Sequence, residues 1–526
     1  MELWKKILTT VVACLLCLCC VGLSELQNVL TAVETALPVC AEEYTEDRVP
    51  VSTGTTTVRV GTGTTELTYG IYEDDTVEIM DCGEDAAGDL EIPAKIDGKE
   101  VTGIQDFAFC YCQYLTGVSI PDGITNIGGC AFFACSSLTS IVIPEGVTSI
   151  NIRTFGYCSS LRSVVLPNGV TSIETNSFEE CISLTEIVIP DTVTYIAPGV
   201  FSSTPWLEAK QKENPLVVVN GILIDGTACS GDVLIPDGVT SIGGDAFYNC
   251  ISITSVRIPD SVTKIKVGAF AACTALENIE IPDTVAIIEE AAFRGTAWQD
   301  NKMRENPLLV VNHILLVADE ERCSGKVVIP DGVTRIGDGA LSGCEKMTEV
   351  VIPDSVSYIG YSAFAGCLTL KEVSIPDGVT EIMGGTFHSC FKLTRVSIPV
   401  SVTAVGVSAF YDDLSIKDVY YSGTRKQWNA IAFSDRGQGN DLAKATIHFS
   451  DGVLYVPTLV GDINLDGRVD IIDAVLLNKF CSDSVTLNDN AIANADCDGD
   501  GDITGNDAVI MMRFLVHLID HMPYTE

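Results

Sequence analysis

The stretch LTSIVIPEGVTSINIRTFGYCSS, Leu138 to Ser160, decides the fold. Leu138, Ile141 and Ile143 alternate with polar neighbours up to Pro144, the pattern of a short half-buried strand closed by a residue that cannot donate to a ladder. Glu145-Gly146 supplies turn chemistry, Val147 and Ile150 a second, shorter extended piece. Phe155 and Cys158, three residues apart, predict one helical or 3₁₀ turn that closes a coil. One such coil cannot bury its apolar side alone, whereas stacked copies bury it against each other.

The copies are present. Ile-Pro or Leu-Pro recurs at Pro93, Pro121, Pro144, Pro167, Pro190, Pro236, Pro259, Pro282, Pro330, Pro353, Pro376 and Pro399, with a step of 23 residues in most cases. From Pro121 onward a Phe, once Leu341, lies 11 residues after each Pro. The reading is a solenoid, its twelve Pro-marked coils rising about 4.8 Å each. Cys112, Cys135, Cys158, Cys181, Cys250, Cys273, Cys344, Cys367 and Cys390 each follow the Phe position by three. They would stack in a column of buried thiols acting as small apolar residues, and a straight column does not converge on a metal. Thr204, Thr296 and Asp413 replace the Cys in coils that precede an interruption or the end of the array. Two related insertions, TPWLEAKQKENPLVVVNGILID from Thr204 and TAWQDNKMRENPLLVVNHILLV from Thr296, predict an outward helix held by Trp206 or Trp298, then an apolar strand.

Composition agrees and narrows the function. The 526 residues carry 31 Lys+Arg against 71 Asp+Glu, a net charge of −40 that repels phosphate backbones and excludes nucleic acid as a partner. Hydrophobic residues at 47 % and charged ones at 19 % place the chain among folded proteins, not acidic tails. At the start, Lys5 and Lys6, an apolar run Ile7–Leu23 and the small-residue site Val39-Cys40-Ala41 read as a secretory signal peptide, residues 1–41; an uncleaved membrane anchor is the alternative. The expected location is extracellular, with no membrane contact after cleavage. Residues 42–68, with the Thr-rich run Val51–Thr65, read as an N-terminal spacer.

Outward strand positions include Ser140 and Val142, Ser163 and Val165, Glu186 and Val188, Arg257, Glu280, Val351 and Ser374. These columns hold no aromatic platform, which disfavours carbohydrate as the direct ligand. No nucleophile or acid–base constellation stands out: Gly360-Tyr361-Ser362-Ala363-Phe364 lacks the final glycine of a nucleophile elbow, and His313, in an apolar strand, and His388 read as structural.

The repeat resembles the BspA-like leucine-rich-repeat family over residues 69–449, and DVYYSGTRKQWNAI, Asp418–Ile431, resembles the cap such arrays carry. That resemblance implies a mainly β solenoid with 23-residue repeats and a role in protein recognition or adhesion rather than catalysis.

After a linker, residues 450–460, two acidic loops 34 residues apart carry the sharpest chemistry. The oxygen donors are Asp462, Asn464, Asp466, the Arg468 carbonyl and Asp473, with Asp470 through water; then Asp496, Asp498, Asp500, the Asp502 carbonyl and Asp507, with Thr504 at the position of Asp470. Gly467 and Gly501 occupy the sharp turn, and Val469 and Ile503 pair the loops. Such dense carboxylates call for a hard cation. Aspartate at position twelve, no entering helix, and helices at Ile471–Phe480 and Asn506–Val516 make residues 461–526 resemble a type I dockerin, a small all-α domain. The resemblance implies two Ca²⁺ ions and docking onto the cohesin domain of a scaffoldin, as in cellulosomes. Carried over by register, the cohesin contacts are Ile471, Ile472 and Lys479 in one half and Gly505, Asn506 and Arg513 in the other. The halves differ, which predicts one preferred docking orientation. The expected function is a secreted non-catalytic assembly component; the alternatives are an enzyme or enzyme regulator of the same polysaccharide-degrading complex, or a plain adhesin.

Overall fold

The computed structural model describes residues 49–434, 442, 445–450, 452–454, 460–464, 468–482, 484–487, 489–499, 502–516 and 522. The signal-peptide reading and much of the linker lie outside them. Two compact units divide at Ile224 and Asp225.

In the first unit, each coil lends one strand to each of two parallel ladders. Ser140–Val142, Ser163–Val165 and Glu186–Val188 pair in register, and so do Ser149–Ile150, Ser172–Ile173 and Tyr195–Ile196. Between the ladders the rings of Phe109, Phe132, Phe155, Phe178 and Phe201 stack with centroids 5.0 to 5.8 Å apart and planes within 5°. Offset stacking of this kind adds to the burial of five large side chains. The Thr-rich run is not a spacer from Ser52 onward. It folds as an antiparallel hairpin, Ser52–Val60 with Gly63–Ile71, that buries Val60 and Leu67. Thr and Val favour extended backbone, and the turn is fixed by Gly61 at φ +53°, where a Cβ would meet the Ala87 carbonyl at 2.7 Å.

Helix α1 (Pro205–Glu213) interrupts this array, and Thr204 explains itself there. Its side chain fills the buried Cys position and accepts the Leu207 N–H at 3.2 Å, capping the helix. Trp206 then packs on Phe201 with centroids 4.4 Å apart.

The second unit repeats the scheme from Asp225. Phe247, Phe270 and Phe293 stack, as do Phe364, Phe387 and Phe410, with Leu341 buried where the ring is replaced. Thr296 caps helix α2 (Ala297–Glu305), and Trp298 packs on Phe293 at 4.8 Å. His313 lies in the turn between Leu308–Val311 and Ile314–Ala318 at φ +66°, rather than within a strand. In the cap, Asp418–Tyr421 pairs in parallel with Arg395–Ile398 on one side and Thr446–Phe449 on the other. Helix α3 (Arg425–Asn429) buries Trp428 beneath it.

Helices α4 (Ile471–Cys481), α5 (Asp489–Ala495) and α6 (Gly505–Leu515) close the unit around Ile463, Leu477, Ala491, Ala495, Cys497, Ile510 and Met511. The short α5 corrects the expectation that no helix enters either loop. It forms because Ala491 and Ala495, four apart, present small faces to this core. Among the described residues no helix is long and apolar enough to cross a membrane.

Candidate calcium centre and recognition faces

The two loops fold the same way, and the aspartates at position twelve organise both. Asp473 Oδ1 accepts the N–H groups of Ile463 and Asn464 at 2.8 and 2.9 Å, and its Oδ2 accepts the Asp470 N–H at 2.9 Å. Asp507 does the same with Cys497 and Asp498 (2.8 and 3.3 Å) and with Thr504 at 2.7 Å. Both carboxylates are fully buried. Each one therefore ties the start of its loop to the helix that follows, before any ion is considered.

Asp470 and Thr504 are engaged locally, because their side chains cap α4 and α6 by accepting the N–H of Ile472 and Asn506. Asn506 is exposed, and its amide also donates to Asp498 Oδ2. Val469 and Ile503 pack against the common core, as their position eight predicts. Asn494 of α5 joins the halves: its side chain donates to the Asp462 carbonyl at 2.7 Å, and its own carbonyl accepts the Gly461 N–H at 2.7 Å.

The donor set fits a hard divalent cation. Asp496, Asp498 and Asp507 each bring one carboxylate oxygen to within 4.8 Å of the others. Burial is the main force on Asp496, whose carboxyl is pushed up to about 6, and it raises Asp507 as well. Acids pushed toward protonation by burial and mutual repulsion are those a cation relieves. In the first loop Asp462 is buried and Asn464 half-buried, while Asp466 and Gly467, like Asp500 and Gly501 of the second, lie outside the described residues.

The outer face of α4 is apolar. Ile471 and Ile472 are 57 % and 58 % exposed, followed by exposed Val475 and Lys479. The matching face of α6 is flatter at its start, with Gly505 exposed, Val509 and Met512 further along, and Arg513 half-buried. Cys481 is exposed and donates to the Thr504 carbonyl at 3.2 Å; Cys497 is buried in the core.

Two features of the repeats escaped the sequence reading. Ser374, Ser397, Tyr420 and His448 stand in one outward row on neighbouring strands. Tyr420 and His448 stack at 4.4 Å, and His448 Nε2 lies 2.8 Å from Asp418 Oδ1. Where the small serines meet this aromatic pair a groove of about 320 Å³ opens, with Asp377 and Ser422 also on its wall. The 23-residue step from Ser397 to Tyr420 was the available signal. The second is Arg425, at the start of α3, whose Nη2 reaches Asp496 Oδ2 at 3.4 Å; nothing in its local sequence marks it.

A solenoid of this coil, followed by paired acidic loops and their helices, defines a repeat protein carrying a calcium-loop module. The family model of the BspA type leucine rich repeat region matches in six copies over residues 90–208, 228–312 and 321–438, more than half of the chain, and the chain belongs to that family. The dockerin type I domain matches residues 460–516. Among solved structures, the chain is similar to a leucine rich cell surface protein from Faecalibacterium prausnitzii A2-165, with 28 % identity over 73 % of this chain and 98 % of that one and a TM-score of 0.26. A leucine-rich repeat protein from Bacteroides ovatus ATCC 8483 is 24 % identical over 73 % and 98 %, with a TM-score of 0.29. No curated protein matches the chain. Neither matched family is a catalytic domain.

Proposed function

We propose that the mature chain is a secreted, non-catalytic component of a cellulosome-like polysaccharide-degrading complex. Its C-terminal module binds two Ca²⁺ ions, docks onto the cohesin domain of a scaffoldin, and holds the repeat array at the cell surface for protein binding or adhesion. The observation that carries this reading is the convergence of Asp496, Asp498 and Asp507 beside helices with exposed apolar faces. When bound, the ions supply fixed positive charge that holds the loop carboxylates together. The chain's own residues do the rest: Asp473 and Asp507 tie loops to helices, and Ile471 and Ile472 offer an apolar anchor with Lys479 at its rim.

The second half offers Gly505 and Asn506, whose amide is bonded to Asp498, in place of two isoleucines, which supports one docking orientation. On the array, the groove beside Tyr420 and His448 supports a binding role over a purely mechanical one.

The deciding experiment is a binding screen of the mature chain against a panel of cohesin domains, with calcium and with chelator, run beside a hydrolysis assay on plant polysaccharides. Calcium-dependent capture by a cohesin without hydrolysis is expected. Hydrolysis at ordinary enzyme rates, or binding indifferent to chelator, overturns the reading.

A further inference from the structure

Four parallel strands, Glu372–Ser374, Arg395–Ile398, Asp418–Tyr421 and Thr446–Phe449, set Ser374, Ser397, Tyr420 and His448 side by side at the cap end of the array. The Tyr420 and His448 rings lie within 8° of parallel with centroids 4.4 Å apart, close to one strand spacing, so they stand on the sheet with their faces along the ladder. His448 covers one face of Tyr420. The other face looks over the two serines, across a slot about 10 Å wide, two strand spacings. Asp418 Oδ1, 2.8 Å from His448 Nε2, holds the rear ring in place, so the platform is set before any ligand arrives. Arg395 closes one end of the slot, its Cζ 5.5 Å from the Tyr420 centroid and its Nη1 3.4 Å from Glu372 Oε2. The outward columns, which hold no aromatic platform in the sequence reading, gain one at the cap.

The polar groups around this ring face decide what it takes. Among the described residues, the hydroxyls of Ser374, Ser397 and Tyr420 and the carboxylate of Asp377 bond to no protein group. Ser422 Oγ accepts the Val400 N–H at 2.8 Å and keeps its own proton to donate. A purely apolar ligand would strand these groups. A peptide backbone finds no free strand edge, because Arg395–Ile398 and Asp418–Tyr421 are each paired on both sides. An anion meets the uncompensated Asp377, with Arg395 neutralised by Glu372 and the whole chain at −40. What fits is an uncharged molecule with an apolar face and a rim of hydroxyls. A pyranose is such a molecule: its C–H groups rest on the negative face of the aromatic ring, and its hydroxyls meet the serines and Asp377. The groove volume of about 320 Å³ suits a short stretch of chain, not a protein domain. We infer that the groove binds a neutral sugar chain, one ring of which lies above Ser374 and Ser397 against the face of Tyr420. The inference deepens the binding role given to this groove above and rests on it.

Calorimetric titration of the mature full chain with uncharged hexasaccharides of glucose, xylose and mannose, and with an oligogalacturonate as the anionic probe, tests this. The wild type should bind at least one uncharged probe and leave the oligogalacturonate alone. Tyr420→Ala should weaken that binding by about tenfold, the scale of one aromatic contact. Tyr420→Phe, which keeps the ring face, should retain most of it. Ser397→Leu fills the slot with Tyr420 intact and should abolish it. Both positions point outward, so each variant should keep the wild-type circular dichroism spectrum. Cohesin capture by the same variants reads the docking separately and should not change. No uncharged probe bound by the wild type, binding indifferent to both Tyr420→Ala and Ser397→Leu, or a preference for the oligogalacturonate overturns the inference. With cohesin capture intact, any of these results leaves the docking reading standing.

Discussion

The Sγ of Cys158 lies 3.1 Å from the carbonyl oxygen of Phe132, one coil earlier. Cys135 bears the same relation to Phe109, Cys181 to Phe155, Cys273 to Phe247 and Cys390 to Phe364. The column is therefore more than small apolar filling: these five thiols each meet a buried acceptor of the neighbouring coil. Cys158→Ala removes that donor and opens a small void, and should cost about 1–3 kcal/mol. Urea titration of the purified variant measures it, and a loss below a few tenths would mean the contact contributes nothing.

The same burial raises the thiols of Cys158 and Cys181. Cys158 is driven well up, and Cys181 up to about 12, in both cases mainly because an apolar interior disfavours the thiolate. The folded state thus holds these two thiol protons more tightly than the unfolded chain, where a thiol titrates at about 9. Stability from this source is complete below pH 9 and lost as pH climbs toward 12. Melting temperature should fall progressively across that window. At pH 8 an aromatic disulfide reagent should label exposed Cys481 first and reach Cys158 or Cys181 only after denaturant is added.

Where the sequence spoke clearly, it did so through periodicity. A residue every 23 places tells which side chains share a column, and so the rings, the thiols and both ladders were legible before any coordinates. The cap at Thr204 illustrates the limit: the loss of the Cys was visible, but its replacement by a helix-capping hydroxyl is a matter of backbone geometry. The convergence of Asp496, Asp498 and Asp507 was legible because loop chemistry fixes spacing, whereas the helix caps made by Asp470 and Thr504, which the sequence offers as loop donors, are a matter of backbone geometry. Arg425 stays hidden in sequence, since 71 residues separate it from Asp496.

The residue before each ladder Cys is held in the left-handed region whatever its identity: Ala134 at φ +58°, Tyr157 at +61°, Glu180 at +57° and Ala272 at +60°. Gly343 and Gly366 fill the same place in the coils of Cys344 and Cys367. An L-residue pays roughly 1–2 kcal/mol there, which glycine avoids at the expense of some unfolded-state entropy. Ala272→Gly should accordingly stabilise the second unit by up to about 1 kcal/mol, opposite to the usual effect of introducing glycine. Thermal unfolding decides the sign.

Removing Trp206 tests what keeps α1 on the array. The ring is 9 % exposed and rests on Phe201, while its N–H bonds the Leu184 carbonyl at 2.9 Å. Because that bond is made by the backbone, Trp206→Ala retains it and loses only the ring, at about 3 kcal/mol. Limited proteolysis should then cut within Pro205–Glu213 while the flanking coils resist; protection equal to wild type would show the ring to be dispensable.

Asp507 combines two tasks that a pair of substitutions can separate. Asp507→Ala leaves the N–H groups of Cys497, Asp498 and Thr504 without their acceptor, at about 1–3 kcal/mol for each buried group. With Asp473→Ala added, which strips three more, the C-terminal module should unfold with or without calcium, and the repeat array should keep its β signal in circular dichroism. Asp507→Asn retains one acceptor oxygen for Cys497 and Asp498, but the charge that a cation needs is gone. That variant strands the Thr504 N–H, at about 1–3 kcal/mol, so in chelator it should be less stable than wild type but more stable than Asp507→Ala, and it should gain little from calcium. A calcium response in Asp507→Asn equal to wild type would show that Asp507 serves the helix alone, and that the ion is held without it.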